Sequence, residues 1–136
     1  MEKQKIIEIE EIVAKILESA VSCFAIGGFG KYLNNLNTDI KDLDFYIPFE
    51  LNNLESLRML LVQFDKRYIL NNYNFDKILR IKYKSIKIDL LPKINGVNFI
   101  TVLQNYEIKY FYKLPIQTLS QNKIEENINF VQKQFE

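Results

Sequence analysis

The sequence predicts an α+β (α/β-like) domain in which helices pack against a mixed β-sheet. Two stretches carry apolar residues at helical spacing, residues 3–20 and 51–64. Short apolar runs bounded by glycine or proline alternate with them, and residues 78–91 read as a tight hairpin. At 136 residues, 48% hydrophobic and 26% charged, the chain is sized and composed for one globular domain spanning 1–136.

The first element is an amphipathic helix over residues 3–20, with Ile6, Ile9, Ile12, Val13, Ile16 and Leu17 on one side. Val21 to Ile26 is apolar, ends at Gly27 and Gly28, and reads as a buried strand. A brief helix is expected over 30–36, and polar turn residues follow it. A strand then runs over 43–47 and is stopped by Pro48. Leu51, Leu54, Leu57, Leu60, Leu61 and Phe64 mark the second long helix. Strands are expected at 67–70, 78–83 and 86–91, the last two joined by Lys84 and Ser85. Weaker strand signals cover 97–103 and 108–112, and a final helix begins at Ser120.

Two absences narrow the chemistry. The chain has no histidine and one cysteine, Cys23. Histidine-based nucleophilic catalysis, zinc sites built on histidine and thiolate clusters are thereby excluded. A bound metal must be hard and oxygen-ligated, which points to magnesium, manganese or calcium. No apolar run is long enough to span a bilayer, and a cytoplasmic, reducing environment is the expectation. With a net charge of +1 the whole molecule is no match for a polyanion, although Lys77, Arg80, Lys82, Lys84, Lys87 and Lys93 crowd one stretch. Such cations equally suit a solvated strand face, and Arg80, Lys82 and Lys84, read as alternating along one strand face, equally suit a guarded sheet edge.

Three of the four glycines, Gly27, Gly28 and Gly30, fall within four positions at a strand-to-helix junction. Glycine there allows positive φ and lets an anion approach main-chain N–H groups at a helix N-terminus. In Lys41-Asp42-Leu43-Asp44-Phe45, alternation puts Asp42 and Asp44 on one strand face. Two such carboxylates repel and lose hydration unless a cation joins them, though both can also simply open the strand at its wet end. Asp89, flanked by Ile88 and Leu90, is a third carboxylate on the polar face of an apolar strand. Asp42, Asp44 and Asp89 brought together make an oxygen-ligand cluster suited to magnesium.

Gly27-Gly28, a short helix with Lys31, then Asp42-Leu43-Asp44 and a later apolar strand with Asp89 resemble the DNA polymerase beta-like nucleotidyltransferase superfamily. The likeness is greatest to its minimal and abortive-infection-type bacterial members and covers about residues 20–92. It implies a nucleotidyltransferase fold and a site with two Mg2+ or Mn2+ ions, in which Asp42 and Asp44 bridge the ions and Asp89 binds one of them. It further implies that Gly27, Gly28 and Lys31 contact the phosphates of a nucleoside triphosphate, ATP being the first candidate. AMP transfer to a hydroxyl on a protein side chain, a tRNA end or a small molecule would follow. Gly28 stands where many relatives carry serine. The alternative is a degenerate fold member that binds a protein partner, as in a toxin–antitoxin pair, or its own copies. Among other residues, Phe99, Tyr106, Tyr110, Phe111 and Tyr112 cluster late, and core packing is their simplest role.

Overall fold

The computed structural model describes residues 1–48, 50–65, 77–94 and 98–119. The strand expected at 67–70 and the final helix from Ser120 lie outside these residues. Helix α1 (Lys3–Glu18) is followed by β1 (Phe24–Ile26), α2 (Gly27–Leu33), β2 (Leu43–Tyr46) and α3 (Leu51–Phe64). Next come the hairpin β3 (Leu79–Tyr83) and β4 (Ile86–Leu91), helix α4 (Phe99–Asn105) and the hairpin β5 (Tyr106–Phe111) and β6 (Leu114–Leu119). The six strands form one mixed sheet in the order β3-β4-β2-β1-β6-β5. Strand β2 runs parallel to β4 and antiparallel to β1, and β6 runs parallel to β1.

Period-two alternation splits the strands between two faces. Leu43, Phe45 and Ile47 join Ile88 and Leu90 in the main core, which receives Ile9, Ile12 and Val13 of α1 and Leu57 and Leu61 of α3. The opposite face is thinner: Phe24, Ile26, Tyr46 and Leu119 pack with Val102 of α4. Asp44 and Asp89 belong to this second face, at the end that α4 leaves open.

Polar ties fix the strands that matter for the site. The Ser85 N–H and hydroxyl donate to Glu8 at 2.8 and 2.7 Å, and Lys84 and Tyr83 donate to Glu11 at 2.7 and 2.6 Å. Helix α1 therefore grips the β3–β4 turn and sets the position of β4. Ser85 holds the Glu8 carboxyl below its usual range, and Lys84 and Tyr83 do the same for Glu11. Both groups are lowered on folding, so their contribution is full above the unfolded value of 4.5 and fades as pH falls through the folded one. Buried Asn53 on α3 accepts from the Ser22 N–H at 2.7 Å and donates to the carbonyls of Pro48 at 3.0 Å and Ser22 at 3.2 Å. It thus joins the approach to β1 with the exit from β2. Asn53→Ala removes the partner of the Ser22 N–H and carbonyl, while the Pro48 carbonyl keeps the Glu50 N–H, and is expected to cost about 1–2 kcal/mol. A urea midpoint unchanged from wild type would refute that role.

Four expectations need correction. Helix α2 covers 27–33 rather than 30–36, so the glycines form its first turn. It stops early because Asn35 takes a left-handed conformation (φ 62°), and the Leu36 N–H closes back on the Lys31 carbonyl at 2.8 Å. Where a strand was expected over 97–103, residues 99–105 are helix α4; the Asn98 side chain caps it by accepting from the Thr101 N–H at 2.8 Å. Lys84 does not share a strand face with Arg80 and Lys82. It occupies the hairpin turn at φ 53° and reaches to α1. Of the late aromatics only Phe111 is fully buried, whereas Tyr106, Tyr110 and Tyr112 are exposed. Cys23 is a core residue, as expected, and burial pushes its thiol far up.

Candidate functional site

Strand β1 ends at Ile26, and the chain turns at once into α2. The partner of Ile26 across the antiparallel pair is Asp44, and the partner of Asp44 across the parallel pair is Asp89. Register alone therefore brings together two carboxylates 45 positions apart in the sequence. Across the next pair Asp89 faces Arg80. A single row thus crosses the open face: Arg80, Asp89, Asp44 and the start of α2.

Each member of the row constrains the next. Gly27 has φ +58°, and a Cβ there would lie 3.0 Å from Asp44 Cγ and collide with its carboxylate oxygen. Any side chain at 27 therefore evicts Asp44. Gly28 differs, since a Cβ there meets nothing within 4 Å. The Gly28 N–H favours the charged Asp44 carboxylate, so in this structure the anion at the start of α2 is Asp44. Arg80 Nε lies 3.6 Å from Asp89 Oδ1, a loose ion pair whose arginine side chain is 76% exposed.

Burial pushes the Asp44 carboxyl up to about 6, helped by the charges of Asp89 and Asp42 and opposed by the Gly28 N–H. Among the described carboxylates with a shifted value, Asp44 alone is raised. Half-buried and flanked by like charge, it is the least compensated acid on this face. Asp42 is exposed and lies one residue before β2, where its charge still reaches Asp44.

Of the sequence-predicted residues, Asp44, Asp89, Gly27 and Gly28 therefore come together, with Asp42 at the margin. Lys31 lies one turn along α2 from Gly27, and no ion pair joins it to the three aspartates. Among the described residues no three acidic or cysteine side chains are placed to hold a metal ion together. The two paired carboxylates are turned toward partners of their own, Gly28 for Asp44 and Arg80 for Asp89. Sequence reasoning missed the link between Arg80 and Asp89. Its signal was available in the hairpin centred on Lys84-Ser85, which pairs positions 80 and 89 by counting.

No family model matches the chain, and no curated protein is significantly similar to it. Among solved structures it resembles a proposed nucleotidyltransferase from Thermotoga maritima, with a TM-score of 0.67 over 98% of this chain and 88% of that one. The two chains share one fold. At 11% identity the likeness lies in the path of the chain rather than in its side chains. Among the described residues, no helix of this nucleotidyltransferase-like fold is long and apolar enough to cross a membrane.

Proposed function

We propose that this chain is a nucleotidyltransferase that moves a nucleoside monophosphate, AMP in the first instance, from a nucleoside triphosphate to a hydroxyl acceptor. The observation that carries this reading is the facing pair Asp44 and Asp89, with Asp44 raised by burial and like charge. A protein gains nothing in stability from such a pair, and a divalent cation removes its cost. The donor set is all carboxylate oxygen, which fits magnesium or manganese; Asp44 and Asp89, with Asp42 from the margin, are the residues that would hold it once their side chains turn from Gly28 and Arg80 toward one another. When bound, the metal supplies Lewis-acid charge at the phosphates.

The chain's own groups do the rest. Arg80, Lys82 and Lys87 share the sheet face of the acidic pair, since Arg80 pairs with Asp89 and Lys82 with Lys87. They offer positive charge to a triphosphate or a phosphate-bearing acceptor, with Lys31 approaching from α2. The acceptor hydroxyl attacks the α-phosphorus in line, a new P–O bond forms, and the bond to pyrophosphate breaks. In this reading Asp89 helps to activate the attacking hydroxyl by taking its proton. Positioning and charge neutralisation supply most of the rate.

Incubation with labelled ATP and Mg2+ or Mn2+ is expected to release pyrophosphate and label an acceptor, and Asp42→Asn with Asp44→Asn is expected to stop both. One observation favours a second reading. Arg80 and Gly28 already partner the two carboxylates, as they would in a degenerate member that acts by binding another protein. Failure of ATP to bind in the presence of Mn2+ would decide for that alternative.

A further inference from the structure

The two edges of the sheet are treated differently. Strand β3, at one end, carries Arg80 and Lys82, cations of the kind that discourage pairing with another strand. Strand β5, at the other end, carries a single cation, Lys109, which Glu107 of the same strand offsets. Its six residues pair with β6 in unbroken register, Tyr106↔Leu119 through Phe111↔Leu114, so no bulge twists it away. It contains no proline, and among the described residues no strand lies beyond it. Tyr106, Ile108 and Tyr110 alternate on one face of β5, and Ile108 and Tyr110 are 54% and 66% exposed.

The sequence of this edge is self-complementary. Read from either end, Tyr106-Glu107-Ile108-Lys109-Tyr110 gives aromatic, charge, aliphatic, opposite charge, aromatic. An antiparallel pairing of β5 with itself, centred on Ile108, places Glu107 against Lys109 of the second copy and Lys109 against its Glu107. It also sets Tyr106 against Tyr110 twice and Ile108 against Ile108. Within the chain these charges have no partner on β6, where Glu107 faces Thr118 and Lys109 faces Ile116. Among the described residues they form an ion pair only with each other, at 3.4 Å. A two-fold axis normal to the sheet keeps like faces together, so the exposed Tyr106, Ile108 and Tyr110 of both copies form one apolar cluster.

We propose that β5 is a dimerisation edge, pairing antiparallel with β5 of a second copy to give a continuous twelve-stranded sheet. Occupancy by a second copy is favoured over another partner because the charge order fits itself. The proposal is independent of any catalytic role.

The 136-residue chain is expected to sediment at twice its mass of 16.2 kDa. Glu107→Lys puts Lys against Lys at both charged pairs, and Lys109→Glu puts Glu against Glu. Each single variant is expected to weaken self-association roughly tenfold or more, with circular dichroism unchanged. An equimolar mixture of the two restores opposite charges at every position and is expected to recover the dimer, as is the doubly exchanged Glu107→Lys, Lys109→Glu chain. A wild-type chain that remains single overturns the proposal and leaves the edge to residues 120–136 or to a different protein. Single variants that dimerise as wild type does, or a mixture that stays monomeric, overturn it equally.

Discussion

Asp44→Asn is expected to make the metal-free protein more stable at pH 8 while removing its activity. The sign follows from the raised carboxyl. In the unfolded chain Asp44 ionises near its ordinary value of 3.8, whereas in the folded chain it ionises at about 6. Folding therefore favours its proton. That contribution is fully present below the unfolded value and is lost as pH rises through the folded one. Above pH 6 the native state holds a carboxylate against Asp89 and out of water, at a cost of about 1–2 kcal/mol once residual solvent screening is allowed for. Asparagine keeps the acceptor for the Gly28 N–H and carries no charge. The variant and wild type are thus expected to coincide in urea denaturation near pH 4 and to separate by about that amount at pH 8. A separation independent of pH, or one of opposite sign, would show that burial and the charge of Asp89 do not raise Asp44 in the folded chain. Nucleotide transfer is expected to fall on the order of a hundredfold or more, as when a single preorganised electrostatic contact is lost. Added Mg2+ should reverse the order of stability, because only the native wild type gains by binding it.

That stability and activity should move in opposite directions at one residue explains how much of the site the sequence exposed. Asp44 and Asp89 stand out because each interrupts an apolar strand, where a lone acid is costly. Their conflict with the local pattern is visible before any coordinates. Their register is less visible, because β2 and β4 are parallel and no short turn sets their alignment; α3 and β3 intervene. The β3–β4 hairpin has such a turn, which is why its extent was legible almost to the residue.

The misreadings have physical causes too. Residues 99–105 include Phe99, Ile100, Thr101 and Val102, a β-prone run that tertiary packing of Val102 and Phe99 beneath the sheet overrides. The informative residue was Asn98, a side chain suited to starting a helix. Strand β6 went unread because Pro115 lies inside it, and proline argues against an interior strand. The structure tolerates it because β1 is only three residues long. Its pairing with β6 is made at Ala25↔Thr118, well past Pro115, so no β1 ladder is lost there.

The adjacent glycines separate steric from chemical need. Gly27→Ala is expected to cost about 2–3 kcal/mol, because alanine resists a left-handed backbone and its Cβ displaces the Asp44 side chain. With Asp44 turned away, the row from Arg80 to α2 is broken and activity should fall with stability. Gly28→Ala has open space, a φ outside the left-handed range and a helical position, and it should hold stability or raise it by up to about 1 kcal/mol. If the space over Gly28 is where a phosphate approaches the main chain, this stable variant should nonetheless bind ATP more weakly, by roughly tenfold. Serine at the same position fits equally well and adds a hydroxyl, so Gly28→Ser should bind at least as tightly as Gly28→Ala. Thermal melts with and without ATP and Mn2+ read both quantities in one experiment. If Gly27→Ala melts as wild type does, then Asp44 is free to move, and the crowding that raises its carboxyl cannot be a fixed property of the fold.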